Sequence, residues 1–561
     1  MQTAAIPDGL AELPPGPALA AALAGVDLEA VPNDRMLEVL AAQYRQLCYE
    51  QARMAAVVAE VGRCAGYPER GEVARLAAPE RYAAEETRAA LRWTRSAAER
   101  EHDLAETVVY AMPELFAAWL AGAVDRPRVC VFERYLAGLA PEQVTAICRV
   151  AVPRAPALTT GRLAVMLRRM VLAVDPEAAA RWYRKGVRER NVVAMMGPDG
   201  TVTMTASGLP ADEAEAACER VQDLAVAAKR AGHPGLIGQI RCDLFLGLLD
   251  GRFHGMDEAQ VLAALIARYR PDGPGSAAAP GARAGIEVRV ALSTLLGRDE
   301  QPGEIPGLGL LPAPDARARV AQQRRAEWRF AVTDAEGLLL SEGVTRRRPA
   351  AVAGHPVRRD GPPGGIVEIH VPLALLHELV ASDPAVSGEW AAVIADIAAQ
   401  HASRHTHRAD LDARPGARYS GAALRRHTEI RDRTCSFPGC RRRARAAELD
   451  HTRDHAAGGA TTTANTGPLC DHDHDVKHRG GWLLTQPEPG TFVWHSPLGG
   501  EYTTRGEFLL PPMPEPHPVD LGPHFDQSTN TVDGPIMQPY RPLRGPRPPP
   551  PGQVLPDGPP F

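Results

Sequence analysis

Residues 431–482 read RDRTCSFPGCRRRARAAELDHTRDHAAGGATTTANTGPLCDHDHDVKHRGGW, and no other stretch restricts the fold of the chain as sharply. Cys435, Cys440 and Cys470 fall within 36 residues, among many His and Asp and few large apolar side chains. A core-poor stretch of this kind is stapled by metal: Cys435-x4-Cys440 supplies one ligand pair, and Cys470 with Asp473 or His472 supplies the other. Pro438-Gly439 makes a tight turn where the first two sulfurs must converge. Three free thiols without a metal are the alternative. Cys48, Cys64, Cys130, Cys148, Cys218 and Cys242 lie in apolar helical patterns and are expected to be small buried hydrophobes.

A second ligand set interleaves with the first. His474-x3-His478 places two imidazoles on one helical face, where both can hold one cation. Asp450 adds a hard oxygen donor, which suits Mg²⁺ or Mn²⁺ as well as Zn²⁺. His451 follows Asp450 and projects differently from a strand end, so it is free to take a proton from water. Asn465 does not titrate, but its amide can fix the loop that carries His451.

The rest of the chain reads as mostly helix. Aromatic residues are 5% of the 561, while Ala and Leu abound. Residues 1–32 are rich in Pro and Ala and are expected to be loosely ordered. Helical spacing starts at Asn33 and continues over about 84–110, from Pro113, and over 128–139, 141–152, 160–172 and 176–188. Residues 191–196 and 201–205 around a Pro-Asp-Gly turn predict a β-hairpin. Helix resumes at 210–231 and 236–249. A Pro/Gly/Ala linker covers 271–283. Strand patterns follow at 286–292, 328–334 and 338–340, a loop at 349–364, and helix at 373–380 and 390–401. Of the 52 prolines, 17 lie in 511–561, a composition that predicts disorder. No apolar run reaches the ~18 residues of a membrane span. The first basic residue is Arg35, so the positive start of a secretory signal is missing, and a soluble cytoplasmic protein without a membrane partner is expected.

The residues of 420–505 resemble the HNH endonucleases, whose sites are two strands and a helix around one metal. Asp450-His451 matches the family's first His with its preceding acid, Asn465 the central Asn, and His474 the last His. The resemblance implies that His451 activates water, that Asp450 and His474 bind the catalytic metal, and that His478 is a further helix ligand found in some members. It also implies a structural zinc at Cys435, Cys440 and Cys470. Relatives usually carry His where Asp473 stands, which leaves the fourth ligand open between Asp473 and His472. Upstream, 209–232, the preceding hairpin and 295–312 are similar to the helical domain of unknown function 222, over about 36–370. The expected architecture is a loose N-terminus (1–32) and a mainly α domain with a small β-hairpin element (33–370). A helical Arg/His-rich connector (371–419), a ββα-metal nuclease module (420–505) and a disordered Pro-rich tail (506–561) follow.

The formal net charge is −5, yet residues 401–449 hold twelve Arg against five acids. Arginine clusters neutralise phosphates without reading sequence. Arg441, Arg442, Arg443 and Arg445, with Lys477 on the ligand helix, are therefore candidate nucleic-acid contacts; a solvated surface is the other reading. The expected function is metal-dependent hydrolysis of DNA, with RNA as the other substrate to consider. A zinc-stapled binding module without cleavage activity is the alternative. No P-loop, dinucleotide fingerprint or G-x-S-x-G elbow is present.

Overall fold

Proline and capping residues set the first helices. Pro113 and Pro141 open two of them, and Thr94, Asp125 and Thr159 accept hydrogen bonds from the backbone amides of Ala97, Arg128 and Arg162. The computed structural model describes residues 7, 9–197, 199–269, 285–323, 325–349, 365–511 and 513, and the backbone of 525–526 and 531–532. Residues Met1–Pro511 form one compact unit and Pro512–Phe561 a second. The predicted linker at 271–283 lies outside the described residues, as do nearly all of the 349–364 loop and of the Pro-rich tail.

The long helix Met36–Gly62 packs on Arg95–Glu106 and Pro113–Leu120. The helices Arg126–Leu136, Pro141–Ala151 and Thr160–Val174 complete their core, with Trp119, Phe132, Leu163, Leu167 and Val171 fully buried. Each such side chain stabilises the fold by about 1.5–3 kcal/mol through burial. The N-terminal segment is more ordered than its composition suggests. Helix Pro17–Ala24 sits on the long helix, and Leu10, Leu19 and Val31 are buried beside Val39 and Ala42.

The predicted helix over 84–110 is two helices, Ala84–Leu91 and Arg95–Glu106, separated at Arg92, whose φ is +53°. The hairpin is present as Asn191–Met196 paired with Val202–Ser207. Helix Glu258–Arg268 was not anticipated.

The larger departure is a six-stranded mixed sheet. Its order is Gly309–Leu311, Gly303–Ile305, Glu287–Ala291, Ile366–Pro372, Glu327–Thr333, Leu339–Val344. The central strand Ile366–Pro372 runs parallel to both neighbours. Val367, Ile369 and Val371 face a core built with Trp328, Phe330 and the helices Leu373–Ala381 and Ala391–Ala402. The opposite face of that strand buries Glu368 and His370, which bond Arg433. Val367-Glu368-Ile369-His370-Val371 alternates as a strand does, yet the strand was not assigned from the sequence, and its polar face is buried as well as its apolar one. Cys218 and Cys242 also differ from expectation, since both are exposed. None of the described helices is long and apolar enough to cross a membrane.

Candidate metal centre

The ligand-rich stretch forms two short strands and a helix. Glu448–His451 pairs antiparallel with Thr466–Leu469, and helix Asp471–Arg479 follows immediately. Beneath it lie Phe437, Trp482, Phe492 and Trp494, with Ala89 contributed by helix Ala84–Leu91. Residues far upstream therefore belong to this core. Tyr67 N–H donates to Pro497 O at 2.6 Å, and Leu498 N–H to the Glu86 carboxylate at 3.0 Å.

Cys435, Cys440, Cys470 and Asp473 offer ligand atoms that all lie within 4.8 Å of one another. Cys435 Sγ and Cys470 Sγ are each 3.1 Å from Asp473 Oδ2, and Cys440 Sγ is 4.0 Å from Cys470 Sγ. Sulfurs of a tetrahedral zinc site, with Zn–S near ~2.3 Å, stand about 3.8 Å apart, so the donor set fits that ion. Gly439 makes the turn between the first two cysteines at φ +73°, and a methyl group there would lie 2.4 Å from Trp93 O. Burial pushes the Cys435 thiol well up, while hydrogen bonds from Cys435 and Cys440 draw Cys470 below the ordinary thiol range. Four such donors cannot all be anionic without a cation between them.

Of the two candidates for the fourth position, Asp473 is the one in the cluster. His472 is not among those four; its Nε2 is 2.6 Å from Glu85 Oε1, and with Glu85 and Asp473 it forms a separate group of possible ligands. Asp473 also accepts from Arg88 at 2.7 and 3.3 Å, and Arg88 donates to Glu85 at 2.7 Å. Neither Arg88 nor Glu85 carries a motif in the sequence. Ala89 and Glu86 of helix Ala84–Leu91 also face this module.

The second set converges as well. Asp450, His474 and His478 bring ligand atoms within 4.8 Å, and the two imidazole centroids are 4.4 Å apart on one helical face. His474 Nε2 is 3.5 Å from Asp450 Oδ1. One carboxylate oxygen and two imidazole nitrogens make a mixed donor set that suits Mg²⁺, Mn²⁺ or Zn²⁺. His451 is not part of this set. Its Nε2 is 2.7 Å from Thr461 Oγ1, whose own proton goes to Ala417 O. That arrangement assigns the imidazole proton to Nε2 and leaves the Nδ1 lone pair open. Burial lowers the His451 pKa below the ordinary imidazole value. Asn465 acts as a brace: Oδ1 accepts from Arg453 N–H at 2.8 Å, and Nδ2 donates to Arg453 O and Ala460 O at 3.1 and 2.8 Å.

The basic residues divide. Arg441, Arg442 and Arg443 are exposed, although Arg443 donates to Pro306 O at 3.0 Å, and Arg445 lies 3.7 Å from Glu287. Lys477 is turned inward with its side chain 8% exposed. It bonds Asp450 Oδ2 at 2.7 Å, His451 O at 2.5 Å and Asp454 at 3.2 Å, so it supports the strand end instead of facing solvent. Several arginines of 401–449 are structural: Arg433 is buried on Glu368, Arg425 pairs with Glu429, and Arg431 pairs with Asp432.

No protein-family model and no solved structure matches the chain. It is similar to an uncharacterized protein of Mycobacterium tuberculosis, with 37% identity over 127 residues, 20% of this chain and 24% of that protein. A second uncharacterized protein, present in two strains of the same organism, is 36% identical over 104 residues, 18% of each chain. The similar stretches thus span a quarter or less of these relatives' own length.

Proposed function

We propose that the protein is a metal-dependent endonuclease of the HNH type that hydrolyses phosphodiester bonds in DNA. The observation that carries this reading is the separation of roles. Asp450, His474 and His478 converge on one locus, while the adjacent His451 is held out of it by Thr461 with Nδ1 open. A divalent cation held by Asp450, His474 and His478 would supply positive charge against the scissile phosphate. His451 Nδ1 takes a proton from water as the water oxygen bonds to phosphorus. The bond from phosphorus to the 3′ oxygen breaks, and that oxygen is protonated from solvent. Asn465 positions the loop through Arg453 and Ala460. Arg441 and Arg442, exposed beside the strand pair, bind flanking phosphates. Cys435, Cys440, Cys470 and Asp473 hold a structural zinc that fixes the start of the site helix.

One observation favours the non-cleaving alternative: the Lys477 ammonium already compensates Asp450 at 2.7 Å. Incubating supercoiled plasmid with the full chain and Mg²⁺, Mn²⁺ or Zn²⁺ separates the two readings. Metal-dependent nicking that His451→Ala abolishes supports the nuclease, and binding without nicking under every metal supports the binding module.

A further inference from the structure

The helical region carries a second basic surface, remote in sequence from the metal centre. Between positions 149 and 190 there are ten basic and three acidic side chains, in a chain whose net charge is −5. All ten are exposed, and they occupy the consecutive helices Pro141–Ala151, Thr160–Val174 and Ala178–Arg188 and their ends. Arg181 pairs with Asp175. By contrast Arg162, Arg169, Arg184 and Arg188 have no ion pair among the described residues. Uncompensated like charges raise the free energy of the folded state, and an exposed cluster of them on consecutive helices attracts a polyanion.

A β-ribbon stands directly beside these helices. Its strands Asn191–Met196 and Val202–Ser207 pair with each other alone, and nearly every side chain is exposed. At about 3.4 Å per residue it is roughly 20 Å long. Its base is fixed to the basic helix, since a methyl group on Gly208 would lie 2.3 Å from Gly186 O and 3.0 Å from Arg190 Cα. Near its turn, Met196 packs on Gly309, whose added methyl would lie 2.6 Å from Met196 Sδ. Met196 shares a face with Val192, Ala194, Val202 and Met204, and of these only Met196 is half-buried. The other face carries Asn191, Val193, Met195, Thr203, Thr205 and Ser207: amide and hydroxyl groups able to bond base edges, and apolar groups able to meet a thymine methyl. The same loop that meets Met196 also receives Arg443 at Pro306 O, 3.0 Å. The ribbon therefore meets a basic helix at its base and, near its turn, the loop that Arg443 bonds.

We propose that this ribbon enters a groove of double-stranded DNA while Arg162, Arg169, Arg184 and Arg188 grip the flanking phosphates, forming a second nucleic-acid contact outside the metal centre. A two-stranded ribbon fits the ~12 Å major groove. The proposal takes from the nuclease reading only the class of partner, and its test reads binding without cleavage. A fluorescein-labelled 30-base-pair duplex is titrated with full-length protein by anisotropy across NaCl concentrations, with no divalent cation added. Replacing Arg162, Arg169, Arg184 and Arg188 together by Gln is expected to flatten the log Kd–log salt slope by about 3–4, at ~0.9 per phosphate contact. Thr203→Glu with Thr205→Glu is expected to weaken binding at least about tenfold by placing negative charge in the groove. An unchanged slope in the arginine variant overturns the proposal, and unchanged affinity in the threonine variant overturns the ribbon's placement. Loss of binding to phosphatidylserine vesicles with duplex binding intact would reassign the surface to anionic lipid and overturn it too. Duplex binding that depends on these residues in a protein that never cleaves would keep this inference and remove the nuclease reading.

Discussion

Replacing Arg88 by Met removes one charge and keeps most of the side-chain volume. The wild-type guanidinium is wholly buried, donates to Asp473 and Glu85 at 2.7 Å each, and lies 4.4 Å from the Phe437 ring centroid. Both carboxylates are buried too, at 2% exposure for Glu85 and none for Asp473. Removing one partner of a buried ion pair leaves an uncompensated charge and typically costs about 3–5 kcal/mol. The lower end is expected here, because His472 still bonds Glu85 and the Met side chain still covers Phe437. The assay is urea unfolding of the full chain followed by tryptophan fluorescence, since Trp482 and Trp494 lie in the affected core. Pairing the variant with Asp473→Asn completes a double-mutant cycle. The two substitutions together should cost less than their sum by about 1–3 kcal/mol, because both remove the same Arg88–Asp473 bonds. Additive costs, or a loss under about 1 kcal/mol for Arg88→Met, would refute the role of this pair in tying helix Ala84–Leu91 to the cluster of Cys435, Cys440, Cys470 and Asp473.

Cys435→Ser or Cys470→Ser should release zinc and lower the unfolding transition, since binding energy at a structural site is folding energy; retained metal and an unchanged transition would contradict this. Asp473→His offers an imidazole in place of the carboxylate but takes that carboxylate from Arg88, so a chelator titration should show metal retained while urea unfolding shows lost stability. Thr461→Val removes the acceptor of His451 Nε2–H and should slow cleavage at least about tenfold with unchanged Mn²⁺ affinity. Burial alone would raise the pKa of Glu342, but hydrogen bonds from His407 and His427 outweigh it and hold the carboxyl at about 2, while the bond to Glu342 raises His407. The carboxylate's contribution to stability is therefore present above its unfolded value near ~4.3 and lost as pH falls towards the folded value. That of His407 is present below ~6.5 and lost as pH rises through its raised value. Glu342→Gln should remove both slopes from a stability–pH curve, and a curve parallel to wild type would count against the pairing.

What was legible in the sequence was local. The helices and the hairpin followed from periodicity, and both ligand sets were readable because their members fall within one short stretch. What escaped depends on contacts between distant segments. Arg88 meets Asp473 across 385 positions, and nothing around residue 88 announces a metal-site partner. The alternation of Val367-Glu368-Ile369-His370-Val371 was legible as a strand but was not assigned; what no local pattern tells is that Glu368 and His370 are buried against Arg433, 65 and 63 positions away. Lys477 looked like a phosphate contact because charge on a helix is usually solvated, yet Asp450 and Asp454 draw it inward. Contacts also cross the boundary expected between the helical domain and the 420–505 module. Ala89, Glu86 and Tyr67 pack into the module from one side, and Glu368 pairs with Arg433 from another. A fragment of 400–510 would lose all of these contacts, so the full chain is the proper object for activity measurements.

Single-turnover cleavage of a labelled duplex by the full chain in Mg²⁺ or Mn²⁺, beside His451→Ala and with zinc content measured in both, tests the central claim most directly. The account expects cleavage by the wild type, a loss of about 10²–10⁴-fold in the variant, and equal zinc in the two proteins. Cleavage by His451→Ala at the wild-type rate, or no cleavage by the zinc-replete wild type under either metal, would contradict it.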